Sequence, residues 1–123
     1  KIIFYIRVMN SKSLYKGSLS TIILKLLEEN SRMYGYEITQ KVRELTAGDL
    51  NITEGALYPS LHKLEAEGLL QAEMVPMGNR MRKYYKLTET GEKETADKLN
   101  ELKAFVAQMQ LILKTNLVNP HTL

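Results

Sequence analysis

The candidate cations of residues 80–86, RMRKYYK, are Arg80, Arg82 and Lys83, with Tyr84 and Tyr85 following them. Cations spread along an extended segment suit backbone phosphates, and an arginine is slim enough to enter a minor groove. The plain alternative is a solvated charged strand. A second constellation lies upstream in TEGALYPSLHK, which holds Thr53, Glu54, Gly55, Tyr58, Pro59, His62 and Lys63. On a helix, Tyr58 and His62 stand one turn apart on one face, about 100° around from the apolar Leu57. Tyr58 is therefore a candidate for nucleic-acid contact, its alternative being a half-buried core aromatic. His62, with Lys63 beside it, either reaches a phosphate or stays solvated. Glu54, at a helix start, either complements the helix dipole or accepts a hydrogen bond from cytosine.

Catalytic chemistry finds no footing. The two histidines, His62 and His121, have no carboxylate or cysteine at a triad or metal-ligand spacing, and no glycine-rich phosphate loop occurs. No enzyme activity and no cofactor are expected. The chain has no cysteine, which excludes disulfides and thiolate metal sites and fits a reducing cytoplasm. Its net charge of +3 is mildly basic, so the placing of the charges says more than their sum. No apolar run approaches the ~20 residues of a membrane-spanning helix, and no membrane partner is expected.

At 123 residues and 44% hydrophobic, the chain has the size of one domain. The opening KIIFYIRV precedes Met9; we expect Met9 as the natural start with residues 1–8 additional, the alternative being an edge strand rich in β-branched and aromatic residues. From Ser18, expected as an N-cap, Leu19, Ile22, Ile23, Leu26 and Leu27 mark a helix that stops near Asn30. SRMYGYE reads as a turn through Gly35 into a second helix with Ile38, Val42 and Leu45 on its inner face, ending near Thr46 to Gly48. Leu50 and Ile52 are expected in the core. Thr53 then caps a third helix with Leu57, Leu61 and Leu64 inward and Gly68 at its end.

The period changes after Gly68. LLQAEMV and RMRKYYKL are strand-like runs separated by PMGN, which predicts a hairpin. Alternation puts Arg82, Tyr84 and Lys86 on one face and Lys83, Tyr85 and Leu87 on the other. Thr88 caps a last helix in which Leu99, Leu102, Val106, Met109 and Leu113 alternate spacings of three and four, with Phe105 and Ile112 widening the seam. A helix of roughly 25 residues would project ~37 Å, beyond what so small a head covers. The final NPHTL is expected to fray.

Three helices and a hairpin follow the order of a winged helix-turn-helix, with the third helix as recognition helix. That setting accounts for an awkward helix start. Pro59 forfeits a backbone bond and crowds the carbonyl four residues back, a cost of roughly 3 kcal/mol in a regular interior. The residue four back is Gly55, whose freedom lets its carbonyl tilt away, and its missing side chain leaves room for DNA. Tyr36, opening the second helix, is a candidate phosphate donor, while Tyr34 is assigned to packing.

GALYPSLHKLEAEGLL, the preceding MYGYEI and the following RKYYKLTETGE resemble the three signature stretches of PadR-type transcriptional regulators, in the same order and over about residues 16–115. Tyr58, Pro59, Leu61, Leu64, Glu65, Gly68 and Leu69 fit the middle motif, and Tyr84, Tyr85, Leu87, Thr88 and Gly91 fit the last. The single C-terminal helix resembles the family's shorter members. The resemblance implies a homodimeric repressor of double-stranded operator DNA whose last helix reaches across to the other subunit; two recognition helices related by a two-fold axis call for an inverted-repeat operator, and release is expected from a small-molecule effector or a change in dimer geometry.

The expected architecture is mainly α with a small β-hairpin. It comprises an N-terminal extension (1–17), a winged-helix domain (18–87), a long dimerisation helix (88–115) and a tail (116–123). The rival function is a winged-helix module that binds another protein through its hairpin; the basic wing and the small residues opening the third helix argue against it.

Overall fold

The computed structural model describes Tyr15 and residues 17–114. The expectations for a Met9 start, for a strand in residues 1–8 and for the frayed tail lie outside those residues. Helix α1 (Leu19–Glu29) buries Leu19, Ile23, Leu24, Leu26 and Leu27. Leu24 lies outside the single stripe read from the sequence, yet it is fully buried. The reason is that α1 is covered on two sides, by the third helix and the sheet and by the C-terminal helix. Ser18 stands at the N-cap but its side chain makes no capping bond; its carbonyl accepts from Ile22 N–H at 2.9 Å instead.

SRMYGYE contains more than a turn. Met33–Tyr34 form a two-residue strand, β1, and Gly35–Leu45 form α2. The Glu37 carboxylate accepts from Tyr34 N–H at 3.1 Å, satisfying one of the free donors at a helix start. Leu45 was expected inside and is 69% exposed. It is the last residue of α2, where the chain turns away through Ala47 (φ 51°) and Gly48 (φ 84°). Gly48 N–H closes that turn on Arg43 O at 2.8 Å. Ile52 joins the core and Leu50 packs partly buried against it.

Helix α3 (Glu54–Ala66) runs unbroken through Pro59 and buries Leu57, Leu61 and Leu64. Thr53 Oγ1 accepts from Ala56 N–H at 3.3 Å. At the other end, Gly68 has φ 78° and Leu69 N–H reaches back to Leu64 O at 3.0 Å, a left-handed glycine stop.

Strands β2 (Leu70–Met77) and β3 (Arg80–Leu87) form the hairpin. Its turn is tighter than PMGN suggested, because Pro76 and Met77 pair with Met81 and Arg80 and only Gly78 and Asn79 remain. The sheet order is β1-β3-β2, which leaves β2 on an edge, where a proline that cannot donate is tolerated. Tyr85, on the central strand, is buried in the core.

Helix α4 (Glu89–Leu113) is 25 residues long. Its start is bolted to the end of α3. Thr88 Oγ1 donates to Gly68 O at 2.6 Å and accepts from Gly91 N–H at 2.9 Å, while Thr88 N–H donates to Leu69 O at 3.0 Å. A Cβ on Gly91 would run into the Leu69 carbonyl oxygen, so the close approach requires glycine. The architecture is a winged helix-turn-helix head with a long C-terminal helix. Among the described residues no helix is long and apolar enough to cross a membrane.

Candidate nucleic-acid interface

The outer face of α3 is assembled by its inner one. With Leu57, Leu61 and Leu64 committed to the core, helical geometry turns Thr53, Glu54, Gly55, Tyr58, Pro59, His62 and Lys63 outward, and all seven are exposed. A Cβ built on Gly55 meets no atom within 4 Å. The first turn of α3 thus offers bare backbone to anything that approaches. Thr53 holds the cap and Glu54 lies in the first turn, where a carboxylate complements the helix dipole. Tyr58 and His62 form a tilted aromatic pair 6.4 Å apart.

Tyr58 stays out of the core and remains 39% exposed. Its ring leans across α2, with Oη 2.5 Å from where a Cβ on Gly35 would stand. Tyr36, the next residue of α2, is exposed and stacks on Tyr34 with ring centroids 6.5 Å apart.

The wing approaches the same corner. Arg82 lies over the Tyr34 ring at 4.1 Å, and Tyr34 meets Tyr84 edge-on at 5.3 Å. The Tyr84 hydroxyl foremost, then the fields of Tyr34 and Glu37, raise the Arg82 pKa above its ordinary value against an opposing desolvation. The position of Arg82 rests on the Tyr34 ring beneath it. Alternation separates it from Lys83, whose Nζ lies 3.9 Å from Glu65 Oε1 on α3 and 5.3 Å from the Tyr85 ring. Lys86 is 3.8 Å from Glu73. Arg80 and Lys63 enter no ion pair among the described residues.

A cleft of about 360 Å³ opens where these parts meet, lined among others by Tyr34, Gly35, Tyr58, Arg80, Arg82 and Lys83. The structure therefore brings Tyr58, Arg80, Arg82 and Lys83 to one cleft, with His62 beside Tyr58 and Tyr36 beside Tyr34; Glu54 and Gly55 mark the start of α3. Cations and hydroxyls in one concavity, with an open helix start one turn before Tyr58, suit an anionic polymer with a groove. Sequence reasoning missed two participants. Arg32 sits 4.6 Å over the Tyr84 ring and 2.7 Å from Glu73, bracing the far side of the tyrosine pair; its distance in sequence from both partners gave no signal. Gly35 was visible within MYGYEI but only as a turn former.

Among the residues assigned to a dimer seam, Phe105, Val106, Ile112 and Leu113 are exposed; Leu111, which was not assigned to it, is more exposed than any of them. Leu99 and Leu102 differ, being half-buried. They line an apolar groove of about 220 Å³ with Ile22, Leu26, Val42 and Leu45. Met109 is half-buried.

The profile of the "Transcriptional regulator PadR-like family" matches residues 23–97. A crystal structure of a PadR family transcriptional regulator from Eggerthella lenta is similar at a TM-score of 0.74 and 27% identity, covering 91% of this chain and 97% of that one. Bacillus subtilis PadR in complex with operator DNA is similar at a TM-score of 0.60 and 31% identity, over 67% of this chain and 46% of that one. Transcriptional regulator Rv3488 of Mycobacterium tuberculosis is 37% identical over 62 residues, which are 50% of this chain and 55% of that protein.

Proposed function

The chain belongs to the PadR-like family of transcriptional regulators, and from that premise we propose that it binds operator DNA as a homodimer and represses the genes beside it. In this reading α3 enters the major groove by its bare first turn, Tyr58 and Tyr36 meet phosphates, and Arg80 and Arg82 of the wing follow the adjacent backbone. The observation that carries it is the meeting of α3, the start of α2 and the wing around one cationic, tyrosine-lined cleft.

Two copies pair through α4. Its last three turns hold Phe105, Leu111, Ile112 and Leu113 in water, and a two-fold pairing buries the same patch of each chain. The cytoplasm, where the DNA is, is the place of action. Release follows a small molecule or a dimer contact that alters the separation of the two recognition helices.

The test begins with selection of duplexes from a randomised 30-bp pool and titration of the selected duplex at rising salt. With roughly 6 to 10 phosphate contacts in the complex, affinity should fall about 10³- to 10⁵-fold between 50 and 200 mM salt. Enrichment of no duplex, or an affinity indifferent to salt, contradicts the proposal.

A further inference from the structure

Gly35 is the first residue of α2, and glycine is the poorest helix former after proline. Its φ is not among the positive ones, so the position makes no use of glycine's conformational freedom. What it uses is the missing side chain. A Cβ on Gly35 would stand 2.5 Å from Tyr58 Oη, 2.9 Å from Cζ and 3.1 Å from Cε1. All three lie well inside the ~3.5–4.0 Å at which non-bonded carbon atoms rest. Gly55, also helical, shows the contrast, since a Cβ there meets nothing within 4 Å.

The two residues belong to different helices, Gly35 to α2 and Tyr58 to α3. The bare backbone of Gly35 is thus a notch in the first helix of the helix-turn-helix, and the tyrosine of the second lies in it. A half-exposed tyrosine with no seat would sample several χ1 rotamers; one held in a notch is preorganised and loses less side-chain freedom on binding.

We propose that Gly35 is a positioning residue for DNA recognition: its missing side chain seats the Tyr58 ring and fixes where the Tyr58 hydroxyl is offered to the duplex. The inference rests on the reading of Tyr58 as a DNA contact and adds what holds it there.

The variant to make is Gly35→Ala, because alanine favours a helix and α2 loses nothing on propensity. Binding to the selected 30-bp duplex should weaken about 10- to 100-fold, the worth of one hydrogen bond to a charged group. In a Tyr58→Ala background the same substitution should have no further effect, since no ring remains to be displaced. Equal weakening in both backgrounds overturns the proposal. NMR spectra of ring-labelled tyrosine, recorded without DNA, read the seat itself: Gly35→Ala should shift the Tyr58 signals and leave those of the core Tyr85 in place. Unmoved Tyr58 signals overturn it as well. Should Gly35→Ala fail to fold, the double variant decides, because folding restored by removal of the ring supports the seat and continued unfolding refutes it. A parent protein that retains no duplex from the pool overturns the DNA-binding reading and the role with it, and the tyrosine spectra then separate that failure from the absence of a seat.

Discussion

Gly55 makes the sharpest single-residue case. Leucine there has open space around its Cβ and favours helix over glycine by up to about 1 kcal/mol, so Gly55→Leu should fold at least as stably as the parent. The new side chain would stand on the turn that the proposed function brings to the bases, and binding to the selected duplex should be lost. Circular dichroism with a gel-shift titration checks both halves, and a stable variant of undiminished affinity removes α3 from the groove. Arg82→Ala should act differently, weakening selected and random duplexes alike and lowering the salt slope by about 1. Residues on one helix were readable in advance, since the inward Leu57, Leu61 and Leu64 fix which way Tyr58 and His62 face. The seat of Tyr58 was not, because Gly35 and Tyr58 belong to separate helices and no periodicity links them.

Among the elements, the junction of α3 with α4 carries the most consequence. Thr88 makes two side-chain bonds there, to Gly68 O and from Gly91 N–H, and loss of a helix cap alone costs about 0.5–2 kcal/mol. Thr88→Ala should lower the unfolding free energy by that much or more in urea, whereas Thr88→Ser should restore most of it; equal losses for both would mean that the hydroxyl is not the stabilising group. Gly91→Ala should force Leu69 and α4 apart and so reorient the long helix against the recognition helix. Its mark would be weakened DNA binding by a protein that still dimerises, measured by titration and sedimentation together. The helices and the hairpin were legible from period and caps, from Thr53 and Gly68 to Thr88. Strand β1 was not, because Met33 and Tyr34 are too few to show alternation and are strand only by pairing with Tyr85 and Tyr84. Leu45 misled for a related reason: periodicity marks the inner face of a helix but not the point where the core ends beneath it.

At the scale of the molecule, the proposed function depends on a second copy. Phe105 is 54% exposed and Ile112 67%, a cost in water that isologous pairing would remove. Changing both to Glu should leave the winged head folded, since neither belongs to its core, and yield a monomer at micromolar concentration by sedimentation, with duplex binding lost. Leu102 is the poorer choice for this purpose because it is half-buried and lines the apolar groove beside α1 and α2 of its own chain. The central claim is that two recognition helices related by a two-fold axis read one duplex, and hydroxyl-radical footprinting on the selected 30-bp duplex tests it most directly. The account predicts symmetric protection about the centre of an inverted repeat, with half-site centres about 34–36 Å apart or a multiple of one helical turn. A single unsymmetrical patch of protection, produced by one bound chain, would contradict it.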